Sequence, residues 1–367
     1  MNTPSLPQSQ VLEETAATWG AALHPMGCPA CKRAYLGEEA WAGQTCPLCA
    51  RAKLQPQPVL LRPEAPELLT PFRYKLSDVR PSLERFVNEV WLRSDDFDTE
   101  KLLQRAVPIY WPAWLVDSEV IGDWQAEAGF DYQVKSSQET YAKGGWSTRE
   151  LVEQRIRWEP RLGQIRRFYN NVVSPALSEQ KRLLKSTGSY RFDQAAAYQP
   201  EQAKGTLLWV PDLPPESAWP LAQTQLEEAA ANECQQACGA QHIRNFRLRA
   251  EYESLRWTQQ LLPLFVTWYT DDEGQPRVVY INGQSGIVGG VRLASQKKGW
   301  KLAGMILLAA VLALAAAIFF AALGVLFPPS TVLGGFLGIV AMLIACTAIV
   351  PAAWPWQWNR SQDVEPG

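Results

Sequence analysis

The strongest hydrophobic pattern in the chain is a pair of long apolar segments near its C-terminal end. Residues 302–327 and 332–350 contain no charged residue, and only Pro328 to Thr331 separate them. Each segment is close to the roughly 20 residues that cross about 30 Å of hydrocarbon, and the first lacks the polar stripe of a helix in a soluble core. The pattern therefore predicts a transmembrane helical hairpin, which we assign to residues 297–358.

The residues that flank this hairpin predict its orientation. Basic residues precede the first span and follow the second, whereas the turn between the spans has none. They are Arg292, Lys297, Lys298, Lys301 and Arg360. Because positive residues are retained on the cytoplasmic side, both termini are expected in the cytoplasm. Four tryptophans beside the spans are expected to be interfacial membrane anchors: Trp300, Trp354, Trp356 and Trp358.

Between residues 67 and 296 the pattern changes to alternating strands. Val116 to Ala128 alternates apolar and polar positions, which predicts a half-exposed antiparallel strand. Shorter alternating segments between Phe246 and Val291 predict a β-meander that ends at the membrane. The fold class is therefore α+β, with a β-rich soluble body of antiparallel strands and a few helices.

Three helices are predicted within this body. The first would bury an apolar stripe formed by Leu83, Phe86, Val87, Val90 and Trp91. Asp98 is expected to cap the second helix, because its carboxylate can accept hydrogen bonds from the first-turn amides. The third should extend from Glu216 to Cys238, with Cys234 and Cys238 as buried free thiols on its packed face.

An apparent turn at Glu159 to Gly163 predicts a hairpin that gathers five arginines. They are Arg155, Arg157, Arg161, Arg166 and Arg167. One interpretation is a contact site for lipid headgroups or an acidic partner. The other is a solvated face paired with the acidic positions of the 116–128 strand, since opposite charges across strands stabilise a sheet by roughly 0.2–1 kcal/mol. We favour the second interpretation.

Four cysteines near the N-terminal end carry the most specific chemical signal. Cys28-Pro-Ala-Cys31 and Cys46-Pro-Leu-Cys49 are separated by 14 residues, which predicts a zinc ribbon over residues 23–54. Four thiolates close the tetrahedral shell of Zn²⁺, so the site would be structural rather than catalytic. Iron in a rubredoxin-like site is the main alternative. Two disulfides or a redox pair fit less well with a cytoplasmic location and the lack of a βαβ pattern.

The remaining segments complete the domain organisation. Residues 1–22 form a polar N-terminal tail, and residues 359–367 form a C-terminal tail. Residues 55–66 are rich in Pro and Gln, which predicts a semi-extended linker that tethers the ribbon to the body at 67–296.

Composition excludes several classes of protein. With 35 basic and 37 acidic residues the net charge is −2, so no global field recruits nucleic acid or anionic lipid. The 47% hydrophobic content is too high for a disordered chain. His24 and His242 are the only histidines, which leaves little from which to build a histidine-based catalytic centre. We expect no enzymatic activity.

Three segments in order along the chain resemble a bacterial family of zinc-ribbon membrane proteins. They are the two CxxC pairs, the stretch Ile-Tyr-Trp-Pro-Ala-Trp-Leu-Val-Asp at 109–117, and Tyr-Ile-Asn-Gly-Gln-Ser-Gly at 280–286 just before the two spans. The ribbon of this family is slightly similar to that of the primosomal helicase protein N-prime. The resemblance implies an inner-membrane accessory protein that works beside phage-shock-type and stomatin- or flotillin-type membrane proteins. It does not imply helicase activity, because the chain has no GxxxxGK[ST] phosphate loop.

The leading hypothesis is a membrane-anchored scaffold or adaptor whose cytoplasm-facing ribbon recruits a protein partner. The alternative is a membrane-tethered ribbon that binds nucleic acid through basic residues such as Lys32 and Arg33, with an affinity that falls steeply with salt. A third hypothesis is a hydrolase or lipid-modifying enzyme that uses carboxylates such as Asp117 and Asp123. The oligomeric state is not predicted.

Overall fold

The chain has a mixed α/β fold with a large, mainly antiparallel sheet and two apolar C-terminal helices. The computed structural model describes residues 18–20, 22–58, 64–142 and 144–362. The chain divides into two compact units. Unit 1 comprises Met1–Pro112, Glu179–Val210 and Leu261–Gly367, and unit 2 comprises Ala113–Ser178 and Pro211–Gln260.

The described residues form strands and helices in the following order. The strands are β1 (His24–Gly27), β2 (Ala34–Gly37), β3 (Gln55–Pro56), β4 (Leu68–Leu69), β5 (Val107–Ala142), β6 (Gly145–Pro175), β7 (Ala196–Ala197), β8 (Leu207–Trp209), β9 (His242–Thr270), β10 (Pro276–Asn282) and β11 (Val288–Gly290). The helices are α1 (Arg80–Asn88), α2 (Thr99–Gln104), α3 (Gln180–Thr187), α4 (Pro215–Ala237), α5 (Gln296–Leu323), α6 (Pro329–Thr347) and α7 (Ile349–Ser361).

In unit 1 the helix α1 packs its apolar stripe on the meander formed by β9, β10 and β11. Leu83, Phe86 and Val87 are buried in one core that also contains residues of β9 and β10. Trp91 is 53% exposed, because α1 ends at Asn88 and the stripe does not continue past Val90. Asp98 caps α2 by accepting hydrogen bonds from the backbone amides of the first turn. The cap prediction is confirmed, and the burial prediction is wrong for Trp91 alone.

In unit 2 the strands β5 and β6 form one long hairpin, paired from Ala113 with Pro175 to Ala142 with Gly145. The predicted turn at Glu159 to Gly163 is wrong, because these residues pair with positions 124–128 inside the hairpin. Among the described residues β6 pairs with β5 alone, and an edge strand tolerates Pro160 because no neighbouring strand needs its missing N–H. Gly163 makes room for an aromatic ring, since a Cβ there would lie 2.7 Å from the Trp124 indole.

The third predicted helix and the meander are largely confirmed. Helix α4 buries Ala222, Leu226 and Ala230 against β5, and Cys234 and Cys238 are buried free thiols. Strand β9 differs from the prediction, because it runs unbroken over 29 residues where two shorter strands were expected. The turns after β9 and β10 lie where the sequence placed them.

The far end of the β5–β6 hairpin is a two-stranded arm, which we define by its described residues 132–142 and 144–155 and call the 132–155 arm. Strand β9 starts at His242, whose imidazole Nε2 lies 3.0 Å from the Asp131 carboxylate, so the described residues add no third strand beyond this point. Near the tip, Tyr141 and Trp146 are opposite each other and mostly exposed, with ring centroids 5.3 Å apart. An isolated two-stranded hairpin is only marginally stable in water. Since no other described strand pairs with the arm, it presents two open strand edges to solvent.

The C-terminal helices α5 and α6 pack together through small residues. Ala303, Ala310 and Ala317 recur at every seventh position of α5 and are buried. A Cβ on Gly334 of α6 would lie 2.7 Å from the backbone nitrogen of Ala321, so only glycine permits this close approach. The large apolar side chains of both helices are mostly exposed, and only 11% and 17% of the residues in their most apolar stretches are buried. Helices in a soluble core would be mostly buried.

After α6 the chain continues as α7, which packs against the α1 core. The Asn359 side chain accepts a hydrogen bond from the Ala294 backbone N–H (2.8 Å) and donates one to the Ala294 carbonyl (3.0 Å). The Trp358 indole donates to the carbonyl of Arg292 at 2.7 Å. These contacts fix α7 to the residues that lead into α5, at the base of the helical pair.

Candidate metal centre

The four predicted cysteines lie together in unit 1. Cys28 and Cys31 occupy the turn between β1 and β2, and Cys46 and Cys49 occupy a second turn before β3. Their sulfur atoms all lie within 4.8 Å of one another. The Sγ atoms of Cys28 and Cys49 are 3.5 Å apart, and those of Cys31 and Cys46 are 3.8 Å apart. The sequence prediction of a four-cysteine cluster that can bind a metal ion is confirmed.

These distances fit the geometry of a tetrahedral thiolate site. With metal–sulfur bonds of about 2.3 Å, the edges of a regular S₄ tetrahedron are about 3.8 Å. The Cys28–Cys49 and Cys31–Cys46 sulfur pairs are both close to this length. Cys28 and Cys46 are buried and the other two are half-buried, so a bound ion would be largely shielded from water.

The two cysteine turns repeat the same backbone conformation. Lys32 and Ala50, which follow the second cysteine of each pair, have positive φ of 60° and 51°. Their backbone N–H groups donate to the carbonyls of Cys28 and Cys46 at 2.9 and 2.8 Å. The backbone N–H of the next residue, Arg33 or Arg51, is then directed at the sulfur of the second cysteine. Sequence reasoning missed this feature, because neither Lys nor Ala indicates a left-handed conformation.

The surroundings favour a thiolate at Cys31 and a thiol at Cys46, because the hydrogen bond between them lowers the pKa of Cys31 and raises the pKa of Cys46, while burial raises the pKa of Cys49. A hydrogen bond from the Cys46 thiol, together with the Arg33 backbone amide, lowers the pKa of Cys31 to about 5 despite its partial burial. The buried Tyr35 hydroxyl lies 3.4 Å from the Cys46 sulfur and can donate to it. A cation bound between the four sulfurs would displace the remaining thiol protons, as metal binding by cysteine requires.

The left-handed conformation of Ala50 provides a test of this local geometry. We expect Ala50→Gly to increase the apparent metal affinity by roughly 2- to 5-fold, because glycine avoids the steric cost of about 1 kcal/mol that alanine has at positive φ. Competition with a chromogenic chelator measures this affinity. The matched control is Ala52→Gly, where φ is not positive and glycine should lower the affinity slightly. Equal losses for both variants would contradict the described backbone.

The cysteine cluster is built into unit 1 rather than held on a flexible tether. Strand β2 pairs with β8, which places Tyr35 opposite Trp209. Leu36 enters a core shared with residues of β4, β5 and β8, and the Arg33 guanidinium forms an ion pair with Glu179. The expected linker at 55–66 begins with Gln55 and Pro56 paired to β1, and residues 59–63 lie outside the described residues. The linker at 55–66 therefore stays a prediction, while the pairing of β2 with β8 shows that the cysteine region is packed on unit 1.

The five arginines of the predicted ridge lie on β6, and each has a carboxylate partner. Arg166 binds Glu119 of β5 at 2.8 Å, as the charge-pairing interpretation expected. The others differ from that interpretation, because their partners lie on β6 itself or on α4. Arg155 pairs with Glu153, Arg157 and Arg161 share Glu159, and Arg167 approaches Glu233 at 3.6 Å. Because β6 is continuous, the arginines are spread along one strand instead of meeting at a turn.

The four predicted anchor tryptophans fall into two pairs. Trp300 and Trp356 are 66% and 55% exposed, as an interfacial position requires. Trp354 and Trp358 are half-buried, stack on each other at 5.3 Å, and pack against the α1 core. The sequence did not indicate this second role, because a tryptophan beside a span has the same pattern whether its ring faces lipid or protein.

Other candidate residues lie apart from the cysteine cluster. His24 is exposed beside a shallow cleft of about 430 Å³ that is also lined by Glu38, Glu39 and Lys204. Asp117 accepts a hydrogen bond from the Asn171 backbone amide at 2.7 Å, and Asp123 accepts one from the Gln164 side chain at 3.0 Å. Within the described residues the four cysteines are the metal-ligating cluster that the structure brings together.

Comparisons with protein-family models, with curated proteins and with solved structures returned no match to this chain. The metal centre and the apolar helices therefore carry the functional inference.

Proposed function

We propose that this chain is a membrane-anchored scaffold or adaptor in which a structural Zn²⁺, bound by Cys28, Cys31, Cys46 and Cys49 in a zinc ribbon, stabilises a cytoplasmic body that binds a protein partner. The exposed apolar pair α5–α6 is the observation that carries the membrane assignment. An apolar surface of this extent is far larger than soluble proteins normally expose, and a bilayer would cover it.

The orientation follows from charge. The hairpin returns both of its ends to the same side, where the basic residues near the start of α5 and the end of α7 are concentrated. In our proposal these residues keep the body and both termini in the cytoplasm of a bacterial cell, at the inner membrane.

Zinc is the ion that the cysteine cluster fits best. Four thiolates at the spacing of a tetrahedron, with N–H groups directed at two of the sulfurs, are typical of structural zinc sites. The ion would hold the two turns together and leave no open position for substrate. Its proposed role is to maintain β1, β2 and their pairing with β8.

The arm at 132–155 supports a role in protein binding. Its two open edges offer unpaired backbone N–H and C=O groups that an extended segment of another protein can bind by adding a strand. The resemblance described above suggests phage-shock-type or stomatin- or flotillin-type membrane proteins as partners.

Affinity purification of the tagged full chain from detergent-solubilised membranes tests this proposal. We expect one set of proteins to copurify with the wild type and to be lost when residues 133–154 are replaced by Asn-Gly. Arg191→Ala, which removes an exposed ion pair in unit 1, is the matched control and should retain them. Recovery of the same proteins with the shortened arm would contradict a role for the arm, and the absence of any specific protein with the wild type would contradict the adaptor function.

A further inference from the structure

Trp91 is an exposed tryptophan on unit 1 that lies beside the base of the helical pair. Its indole is 53% exposed and makes an edge contact with Trp354 of α7 at a centroid distance of 5.5 Å. The following residue, Leu92, accepts a hydrogen bond through its carbonyl from the Ser295 backbone N–H at 2.5 Å. Trp91 thus contacts α7, and its neighbour Leu92 binds Ser295, the residue that caps α5.

The contacts between α5 and α7 place Trp91 at the level where the apolar segment begins. A Cβ on Gly299 would lie 2.4 Å from the carbonyl oxygen of Pro351 and 2.9 Å from the Pro355 ring. Trp300 is therefore level with the first turns of α7, which also carry Trp354. Because Trp91 contacts Trp354, Trp91 lies at about the same height along the α5 axis as Trp300. This height is just before Leu302, where the apolar segment begins.

The charged groups near Trp91 are largely paired. Lys298 binds Asp95 at 2.5 Å, which lowers the pKa of that exposed carboxyl, and Arg292 forms an ion pair with Glu89. Asp272 of the β9–β10 turn accepts hydrogen bonds from the Ser295 hydroxyl and the Lys297 backbone, both at 3.0 Å. Arg93 donates to the Asn88 side chain, and Lys301 is exposed. The acidic groups named here thus have cationic or hydrogen-bonding partners, whereas within the described part of the chain Arg93 and Lys301 are in no ion pair.

The segment after Trp91 is held firmly. Asp96 accepts two hydrogen bonds from the Arg105 guanidinium, at 2.7 and 2.8 Å, and one from the Thr270 backbone N–H at 2.8 Å. The Ser94 hydroxyl donates to the Thr270 carbonyl at 3.2 Å. The position of Trp91 is therefore fixed by packed elements on both sides of the loop.

We propose that residues 91–93 form a contact between unit 1 and the cytoplasmic leaflet, with the Trp91 indole at the boundary between headgroups and acyl chains beside Trp300. A tryptophan ring suits this depth because it combines a large apolar surface with one N–H donor. The inference rests on the proposed membrane insertion of α5 and α6. It adds that the α1 side of unit 1 lies on the membrane surface.

Site-specific photocrosslinking to lipid tests this contact. The photoreactive amino acid benzoylphenylalanine replaces Trp91, Trp300 or Tyr74, one at a time, in the full chain reconstituted into vesicles of three parts phosphatidylcholine and one part phosphatidylglycerol. Tyr74 is the matched control, because it is an aromatic residue of unit 1 with 37% exposure. The Tyr74 backbone N–H donates to the carbonyl of Gly283, which follows the last residue of β10. The Asp272 turn lies at the other end of β10, so at about 3.3 Å per strand residue Tyr74 is roughly 20 Å from that turn. Zinc content checks that each variant is folded.

Mass spectrometry of lipid adducts gives the result. We expect the yield at Trp91 to be within about threefold of the yield at Trp300 and roughly tenfold above that at Tyr74, because interfacial side chains contact lipid continuously. A yield at Trp91 equal to that at Tyr74, with strong adducts at Trp300, would overturn this inference and leave the anchor in place. Absence of adducts at Trp300 would instead contradict the proposed membrane insertion itself.

Discussion

Replacing Cys46 by serine is expected to abolish stoichiometric zinc binding and to unfold the turns around the cysteine cluster. Three remaining thiolates cannot close the tetrahedral shell, and structural zinc sites contribute about 10–16 kcal/mol of binding free energy that is coupled to folding. The consequence should extend beyond the turns, because β2 is paired with β8 and Leu36 lies in a shared core. We therefore expect loss of the metal to expose part of unit 1 to protease.

Metal analysis of the purified protein measures this effect. The wild type should contain about one zinc ion per chain, and Cys46→Ser less than about one tenth of that. Cys346→Ala, which changes an exposed cysteine in α6, is the matched control and should bind zinc like the wild type. Retention of one zinc ion by Cys46→Ser would contradict the site, and stoichiometric iron in the wild type would correct the identity of the metal.

Removing the apolar part of the helical pair is expected to release the protein from the membrane entirely. Replacing residues 304–348 by a short Gly/Ser linker deletes nearly all of the exposed apolar surface of α5 and α6. The linker can close the chain, because Gly299 of α5 already contacts Pro351 of α7. The contacts of Trp358 and Asn359 with the residues before α5 are retained, so unit 1 should still fold.

Fractionation after alkaline carbonate extraction measures this change. The wild type should remain in the membrane pellet, and the deletion variant should appear in the supernatant as a species that is not aggregated on gel filtration and contains zinc. The variant with the shortened arm is the control for loss of a comparable exposed element, and it should stay in the pellet. Extraction of the wild type by carbonate would contradict membrane insertion.

The parts of this molecule that the sequence predicted are those in which local chemistry determines the structure. The CxxC spacing requires two similar turns, and the run of uncharged residues from 302 to 327 can form little other than a long apolar helix. The Asp98 cap is similarly local, because its carboxylate binds amides only two and three residues ahead.

The errors come from structure that depends on distant partners. Gly163 resembles a turn residue in the sequence, yet its role is to admit the Trp124 ring across the hairpin. Arg33 resembles part of a basic patch, yet it is bound to Glu179, which is far along the chain. Trp354 was expected at the membrane interface, but its ring is half-buried because α7 packs against the α1 core. Trp91 was expected in that core, but its ring is 53% exposed beside Trp354. No periodicity within a single segment can indicate such contacts.

In our proposal α5 and α6 span the bilayer, with the body and both ends of the hairpin in the cytoplasm. Labelling of introduced cysteines by a membrane-impermeant maleimide in intact cells, with the outer membrane made permeable, tests it most directly. We expect Ser330→Cys, in the turn between the spans, to be labelled at once, and Ser361→Cys, at the end of α7, to be labelled only after the inner membrane is disrupted. The wild type measures labelling of the native cysteines. Labelling of position 361 but not position 330 would reverse the orientation, and protection of both positions until disruption would contradict a hairpin that crosses the membrane.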